Sequence, residues 1–569
     1  MSQQHIARGG AGLFSDPGPD GLLHRAFLRG EGFSESDVRR RPIIGIATSW
    51  SELSPCNAGL RDLAVAVKRG IAEAGGLGLE FPTISLSEPF VRPTSMLLRN
   101  LMSMDVEEMI ASSPIDGVVL LAGCDKTVPA QLMGAISAGK PAVMVTAGPR
   151  PVSCWRGADM TIDEVWPLID ERRLGRLDDA EWKQLEGDLN VGVGTCNVMG
   201  TAITMAAIAE VLGFALPGTA LLPAGSAQQE KAAVEAGRMI VDVVARGVVP
   251  AQLVTPEALE NAVRAACALG GSTNAFIHLE ALAGRAGLEI GKERMREWTS
   301  TTPLLVDVRP TGRYLLSDLD SAGGVPALVR ELGELIHSFA PAVDGRAWSE
   351  VAAAAPGTSG PALRSTADPL AASGIAVLSG SLAPGGAIVK TAVSGGGIRR
   401  HRGAALVFDG VADLNARIDD ETLEVDADTV LVLRGVGARG APGIPEVGHI
   451  PIPAKLARAG VTDMVRITDA RMSGTATGTV VLHVTPEAAL GGALALVRDG
   501  DTIDLDVDLG ILDLLVEPAT LAQRSPAIGH ERPRRGYGWL YDTHVLQPDK
   551  GCDFDFLRAE WASPGSIDA

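Results

Sequence analysis

Basic residues are the first shortage in this chain. Fifty Lys and Arg face 69 Asp and Glu, a net charge of −19, which argues against nucleic acid or an anionic membrane as the main partner. An anionic small molecule would need local cations or a metal to bind here. Cysteine is scarce as well: six in 569 residues make no disulfide framework, and the reducing cytoplasm is the natural setting. No Cys-x-x-Cys pair offers a local zinc chelate. Long apolar runs are missing too. The opening MSQQHIARGGAGLF lacks the continuous apolar stretch of a signal peptide. The region Val191–Leu222 is broken by Gly, Pro, Asn, Thr and Glu210, and reads as buried helices and turns rather than a membrane span. Aromatics make up 4% against 67 glycines, so tight turns and close backbone contacts are expected.

What is present is a globular enzyme's balance, 46% hydrophobic and 21% charged, in a chain too long for one ordinary core. Short apolar runs at Pro42–Ser49, Gly117–Ala122 and Pro141–Ala147 alternate with stretches such as Leu60–Ala74, whose apolar residues recur at helical spacing. This alternation predicts the α/β class, with a parallel sheet covered by helices in an N-terminal domain over residues 1–370. From Ala352 to Gly374 the sequence turns rich in Ala, Gly, Pro and Ser, which places the domain boundary there. Strands are predicted beyond it at Ile375–Leu378, Ala404–Phe408, Thr429–Leu433, Met464–Ile467 and Thr479–Val484. They define a smaller β-rich C-terminal domain over 371–569. Asp501–Leu509 alternates polar and apolar residues, and reads as a half-buried strand with a solvated acidic face rather than a metal site.

Three stretches carry the chemistry. SPCNAGL around Cys56, LAGCDKTVPA around Cys124 and GTCNVMGTA around Cys196 each put one cysteine among small residues. In an α/β fold such loops fall at strand or helix ends, where ligands bind. The second adds Asp125 and Lys126 directly after the cysteine. A thiolate suits soft iron and a carboxylate suits hard magnesium, so a loop presenting both suggests two metals sharing one substrate. Taken singly, each residue has a plainer reading. Free cysteines are commonly buried and inert, and Cys154, Cys267 and Cys552 are assigned to packing. Glu88 in ISLSEPF and Glu446 in APGIPEVG fit exposed turns, and His278 in GGSTNAFIHLE fits a helical core histidine. Ser473 in DARMSGTATGT fits a hydroxyl satisfying its own turn.

Together these segments, in this order from about Pro42 to Leu557, resemble the dihydroxy-acid and sugar-acid dehydratases, the IlvD/Edd family. By that resemblance Cys56, Cys124 and Cys196 match three cysteines that hold an iron–sulfur cluster, 2Fe–2S in the sugar-acid branch, with one iron position left open. Glu88, Asp125 and Glu446 match carboxylates around Mg2+, and Lys126 matches a lysine that becomes carbamylated. Ser473 matches the proposed base, with Thr475 near the substrate. The resemblance also implies a barrel-like C-terminal domain, a site between the domains, and a homodimer or homotetramer. Its chemistry is dehydration of a 2,3-dihydroxy carboxylate to a 2-keto-3-deoxy acid, with the cluster as Lewis acid and no redox change.

The C-terminal RRGYGWLYDTHVLQPDKGCDFDFL is similar to the sugar-acid branch, as are GTCNVMGTA and EVGHIPIP. An aldonate is therefore the expected substrate; the alternative is dihydroxy-acid dehydratase of branched-chain amino-acid synthesis. A phosphogluconate dehydratase would use a 4Fe–4S cluster and hold a phosphate, for which no dedicated basic cluster is visible. The chain also departs from its relatives. Gly59 stands where a histidine is common and Thr477 where an aromatic is usual. Arg150 lies in AGPRPVSCWRG in place of a GGPM-type loop, and RGVGARGAPG lacks a usual Asn and Pro. These changes mostly shrink side chains and predict a wider or reshaped pocket.

Overall fold

The apolar runs of the first third assemble into one sheet whose central strands bury both of their faces, while the edge strand Leu77–Pro82 is only partly covered. In the computed structural model, which describes residues 10–356, 360–391, 397–476, 478–526 and 532–559, these are β1 (Ile43–Thr48), β2 (Leu77–Pro82), β3 (Gly117–Ala122) and β4 (Ala142–Thr146). They lie in the order β2-β1-β3-β4, all parallel. Every residue of β1 and β3 is buried, as parallel strands with helices on both sides require. Ile44, Ile46, Val119 and Leu121 pack with helices Leu60–Glu73 and Ala227–Arg246. Ile43, Ala47, Val118 and Leu120 point the other way, into a thicker layer that includes helices Arg99–Ser112, Thr127–Ala138 and Thr201–Val211. The last of these is buried at every residue, so the apolar region around it is core. Among the described residues no helix is long and apolar enough to cross a membrane.

A hairpin of β5 (Ser153–Trp155) and β6 (Ala158–Met160) leads into helices Val165–Arg173 and Asp179–Asp188. Trp155, Met160, Leu168, Leu177 and Leu185 give this segment a small core of its own. Cys154 is exposed, which corrects its assignment to packing: the two-residue period of β5 turns it outward between buried Ser153 and Trp155. Cys267 and Cys552 are buried as expected.

The remaining strands are β7 (Ile375–Leu378), β8 (Gly386–Lys390), β9 (Arg400–Asp409), β10 (Val430–Arg434), β11 (Arg466–Thr468), β12 (Val480–Thr485), β13 (Thr502–Asp506) and β14 (Ile511–Leu514). They form one sheet in the order β14-β13-β9-β10-β11-β12-β8-β7. The run β9 to β12 is parallel and the flanking pairs are antiparallel. Ser379, just past β7, bridges Ile511 at the start of β14, so the sheet nearly closes into a barrel and leaves little free edge. Val389, Val407, Val432, Ile467, Val481 and Ile503 belong to one core within it. The strand predicted over Asp501–Leu509 is shorter, because the chain turns after Asp506 to form β14. Its aspartates Asp504 and Asp506 pair with Arg402 and Arg400 across the register with β9, a polar face of cross-strand ion pairs. The strand predicted from Met464 begins at Arg466. In the Ala- and Pro-rich stretch, Leu363 and Ala371 bridge to Val306 and Leu304, so this segment is tied to the helical layer.

Candidate active site

β1 and β3 are neighbours in a parallel sheet, so their carboxyl ends deliver their loops to one place. Cys56 follows β1 and precedes helix Leu60–Glu73; Cys124 follows β3 and precedes helix Thr127–Ala138; Cys196 lies in the loop before helix Thr201–Val211. Asn57 fastens two of these loops: its Oδ1 accepts the Cys124 N–H at 2.9 Å and its Nδ2 donates to Ser85 Oγ at 3.0 Å. Gly123 permits the approach, since a Cβ there would lie 2.5 Å from Ala147 Cβ and 2.7 Å from the Cys56 carbonyl. The Cys124 thiol donates to Asp125 Oδ1 at 3.4 Å, and the mutual influence of the Cys56 and Cys124 thiols pulls Cys56 below the ordinary thiol range and, with burial, pushes Cys124 above it. Burial first, and then the charge of Cys56, pushes Cys196 up to about 12. Three thiols separated widely in sequence thus share one electrostatic environment, with Cys56 and Cys124 buried and Cys196 half-buried.

The departures predicted to widen the pocket divide. Gly59 lies with Cys56 and Val193 on the wall of a cavity of about 410 Å³, in keeping with a small side chain there. Arg150 does the opposite, reaching to 3.7 Å from the Cys56 sulfur and adding bulk over it. Thr477 lies outside the described residues.

The carboxylates meet around Lys126. Its side chain is wholly buried, with Nζ 2.5 Å from Asp125 Oδ2, 2.9 Å from Glu446 Oε1 and 3.4 Å from Glu88 Oε2. Glu446 Oε1 also accepts from Arg471 at 2.7 Å and from Asn274 Nδ2 at 2.9 Å. Arg471 is fully buried and spends its other donors on the Ile444 carbonyl at 2.7 Å and Thr94 Oγ1 at 3.1 Å. Glu88 accepts from Thr94 Oγ1 at 2.7 Å, from the Ser95 N–H at 3.1 Å and from the Ser95 hydroxyl. Burial would raise the Glu88 carboxyl, but Lys126, Arg471 and these hydroxyls outweigh it and hold it at about 2. At Glu446 burial wins and the carboxyl is pushed up. Burial and Arg471 press Lys126 down, yet the three carboxylates prevail and keep it an ammonium. Two cations against three carboxylates leave the cluster one negative charge in excess. Among the described residues no three His, Cys, Asp or Glu side chains form a metal-holding group as they stand; the point on which the carboxylates converge is taken by the Lys126 ammonium.

Ser473 sits on a loop seated against the start of helix Thr201–Val211. A Cβ on Gly474 would lie 2.8 Å from both the Thr201 nitrogen and Ser272 Oγ, so glycine is what allows this seating. Ser473 Oγ is 2.9 Å from Thr475 Oγ1 and accepts the Thr475 N–H at 3.3 Å. The Trp166 indole donates to Thr475 Oγ1 at 2.8 Å. His278 is buried with Nδ1 3.1 Å from Arg99, a core histidine held neutral by burial. Sequence reasoning missed Arg471, Asn274, Thr94, Ser95 and Trp166. The first two lie inside the DARMSGT and GGSTNAF segments, where Arg471 between Ala470 and Met472 was the available signal; Trp166 had none.

Comparison with known proteins agrees with this architecture. Models described as dihydroxy-acid/6-phosphogluconate dehydratase, N-terminal and C-terminal, match residues 41–351 and 362–552. The chain is 47% identical to a putative dehydratase IlvD1 of Rhizobium meliloti (strain 1021), over 95% of this chain and 94% of that protein. It is 44% identical to the 6-deoxy-6-sulfo-D-gluconate dehydratase of Pseudomonas putida, over 95% of each. Against the L-arabonate dehydratase of Azospirillum brasilense the identity is 45%, over 95% of this chain and 94% of that one. Fold and matches define the class as a hydro-lyase, a dehydratase. The chain belongs to the dihydroxy-acid/6-phosphogluconate dehydratase family, the IlvD/Edd family that its motifs resemble.

Proposed function

We propose that this dehydratase acts on a sugar acid, removing water from a 2,3-dihydroxy carboxylate to give a 2-keto-3-deoxy acid. The observation that carries the reading is the joining of three elements: a trio of electrostatically linked thiols, a carboxylate cage around Lys126, and the Ser473 loop. Similarity to proteins named for sulfogluconate and arabonate supports an aldonate over a branched-chain dihydroxy acid.

The donor chemistry fits the groups the family implies. Soft thiolates suit iron, and Cys56, Cys124 and Cys196 would hold a 2Fe–2S cluster. Hard carboxylates with an excess negative charge suit Mg2+, which Glu88, Asp125, Glu446 and a carbamylated Lys126 would hold. Carbamylation sets a condition. CO2 adds to a neutral amine, whereas the cage holds Lys126 protonated, so modification requires another cation to take over the charge of the carboxylates. When bound, the two groups supply Lewis acidity at the departing 3-hydroxyl and at the carboxylate end of the substrate.

The chain's own residues do the rest. Ser473 Oγ takes the proton from C2, hydroxide leaves from C3, and the resulting enol tautomerises to the keto acid. The Thr475 N–H stabilises the serine oxygen as an acceptor. Arg471 and Asn274 fix Glu446, while Thr94 and Ser95 fix Glu88, so neither carboxylate has to reorganise during turnover. The same reading makes the enzyme a cytoplasmic homodimer or homotetramer, with its domain boundary near residue 370.

The test is 2-keto acid formation by anaerobically purified protein with Mg2+. The panel holds aldonates with and without a 6-sulfo group, and 2,3-dihydroxyisovalerate. Preference for an aldonate is the expected result; preference for dihydroxyisovalerate would overturn the substrate class.

A further inference from the structure

We infer that Trp166 is a positioning residue that sets the direction of the hydrogen bond onto the serine base. The inference rests on the reading of Ser473 as that base and deepens it. An indole N–H can only donate. At 2.8 Å it makes Thr475 Oγ1 an acceptor, leaving the single Thr475 hydroxyl proton free to be given away. The neighbour within reach is Ser473 Oγ at 2.9 Å. Ser473 Oγ then receives two donors from one residue, the Thr475 hydroxyl and the Thr475 N–H at 3.3 Å. Donors aimed at an oxygen favour its anionic form, which is the form a serine base needs and an isolated serine does not supply. Without the indole, the Thr475 hydroxyl is free to turn and accept a proton from Ser473 instead, which favours the inactive neutral serine.

The surroundings show why this tryptophan holds its place. It opens helix Val165–Arg173 in the hairpin-led segment outside both large sheets. Three ties anchor that segment. The Ile162 N–H donates to Asn197 Oδ1 at 3.1 Å, beside Cys196. Arg309 donates to Thr161 Oγ1 at 2.9 Å and pairs with Glu164 at 2.5 Å. Arg173 donates to the Ile452 carbonyl at 2.8 Å on the barrel side. The Trp166 ring lies 5.6 Å from the His449 ring. The segment therefore bridges the loop bearing Cys196 and the loop bearing Ser473, with Trp166 at its point of contact with the latter.

The experiment compares pH–rate profiles of the holoenzyme for Trp166→Phe, Thr475→Val and Thr475→Ser. Trp166→Phe keeps an aromatic ring, smaller than the indole, and removes the N–H. The expected result is an acid limb of kcat displaced by about one pH unit to the alkaline side, about a tenfold loss below the limb that is recovered at high pH. KM is unmoved. Thr475→Val gives a displacement at least as large, Thr475→Ser restores the native limb, and the double variant Trp166→Phe/Thr475→Val loses no more than Thr475→Val alone. Indole 15N–1H spectra add a readout independent of turnover, in which Thr475→Val shifts the Trp166 resonance. An unmoved resonance, or a pH-independent loss confined to KM, would overturn the inference. Turnover that survives in Ser473→Ala would overturn the underlying reading instead, with the indole resonance still reporting whether the Trp166 bond exists.

Discussion

Lys126 is the residue on which the most charge converges, and its removal has a sign that can be worked out. In Lys126→Met three partly buried carboxylates lose the fully buried ammonium between them. Breaking a buried ionic network by deleting one partner costs ~3–5 kcal/mol, expected in denaturant unfolding of the metal-free protein. The pH dependence separates this from lost packing. Glu88 is held at about 2 against an ordinary 4.5, so its contribution is present above about 4.5 and is lost as pH falls toward 2. In Lys126→Met that depression shrinks, and the variant's stability falls less steeply over the same interval. An equal slope in both proteins would show that Lys126 does not govern Glu88. At this scale the motif residues were legible because cysteine, carboxylate and lysine in small-residue loops advertise chemistry. Their partners were not. Thr94 is 377 positions from Arg471, and Trp166 is 309 from Thr475, and no local pattern encodes such a meeting.

Elements were legible where burial is two-sided or periodic. β1, β3 and β4 fall within a residue of the runs that predict them, since parallel strands between helix layers need unbroken apolar sequence. β2, with Glu80 and Pro82 in LGLEFP, and β8, five residues ending in Lys390, carry too little pattern to stand out. Cys154 was misjudged because a three-residue strand gives no period to read. The tightest requirement at this scale is the contact between the Cys56 and Cys124 loops. Gly123→Ala places a methyl group against the Cys56 carbonyl, in the turn before helix Leu60–Glu73, and against Ala147, directly after β4. The expected outcome is anaerobically purified protein that folds but carries less than half the native visible iron–sulfur absorbance per chain. Native absorbance would mean that the two loops have room to part.

At the scale of the molecule the two sheets cooperate through Lys126 and Glu446, 320 positions apart. A ligand that binds the joined form stabilises it by mass action, ~2.7 kcal/mol at a hundredfold excess over Kd. Mg2+ with bicarbonate is therefore expected to raise the Tm of the native protein and to leave Glu446→Gln nearly unchanged; an equal rise in both would place the cation elsewhere. The two sheet types were legible from the change of pattern after Ala352. The near-closure of the second into a barrel was expected from the family resemblance alone and is borne out; the strand pattern by itself does not encode it, because the bridge between Ser379 and Ile511 depends on curvature accumulated over the strands between them.

The order of the site along the chain also gives it a history. The three thiols are complete once residue 196 has left the ribosome, while the cage waits for Glu446 and Arg471. N-terminal units fold first during synthesis. On the proposed reading of these cysteines as cluster ligands, a nascent chain offers all three to iron before Glu446 and Arg471 have been made, so the thiol side of the site is ready first and the carboxylate cage closes last.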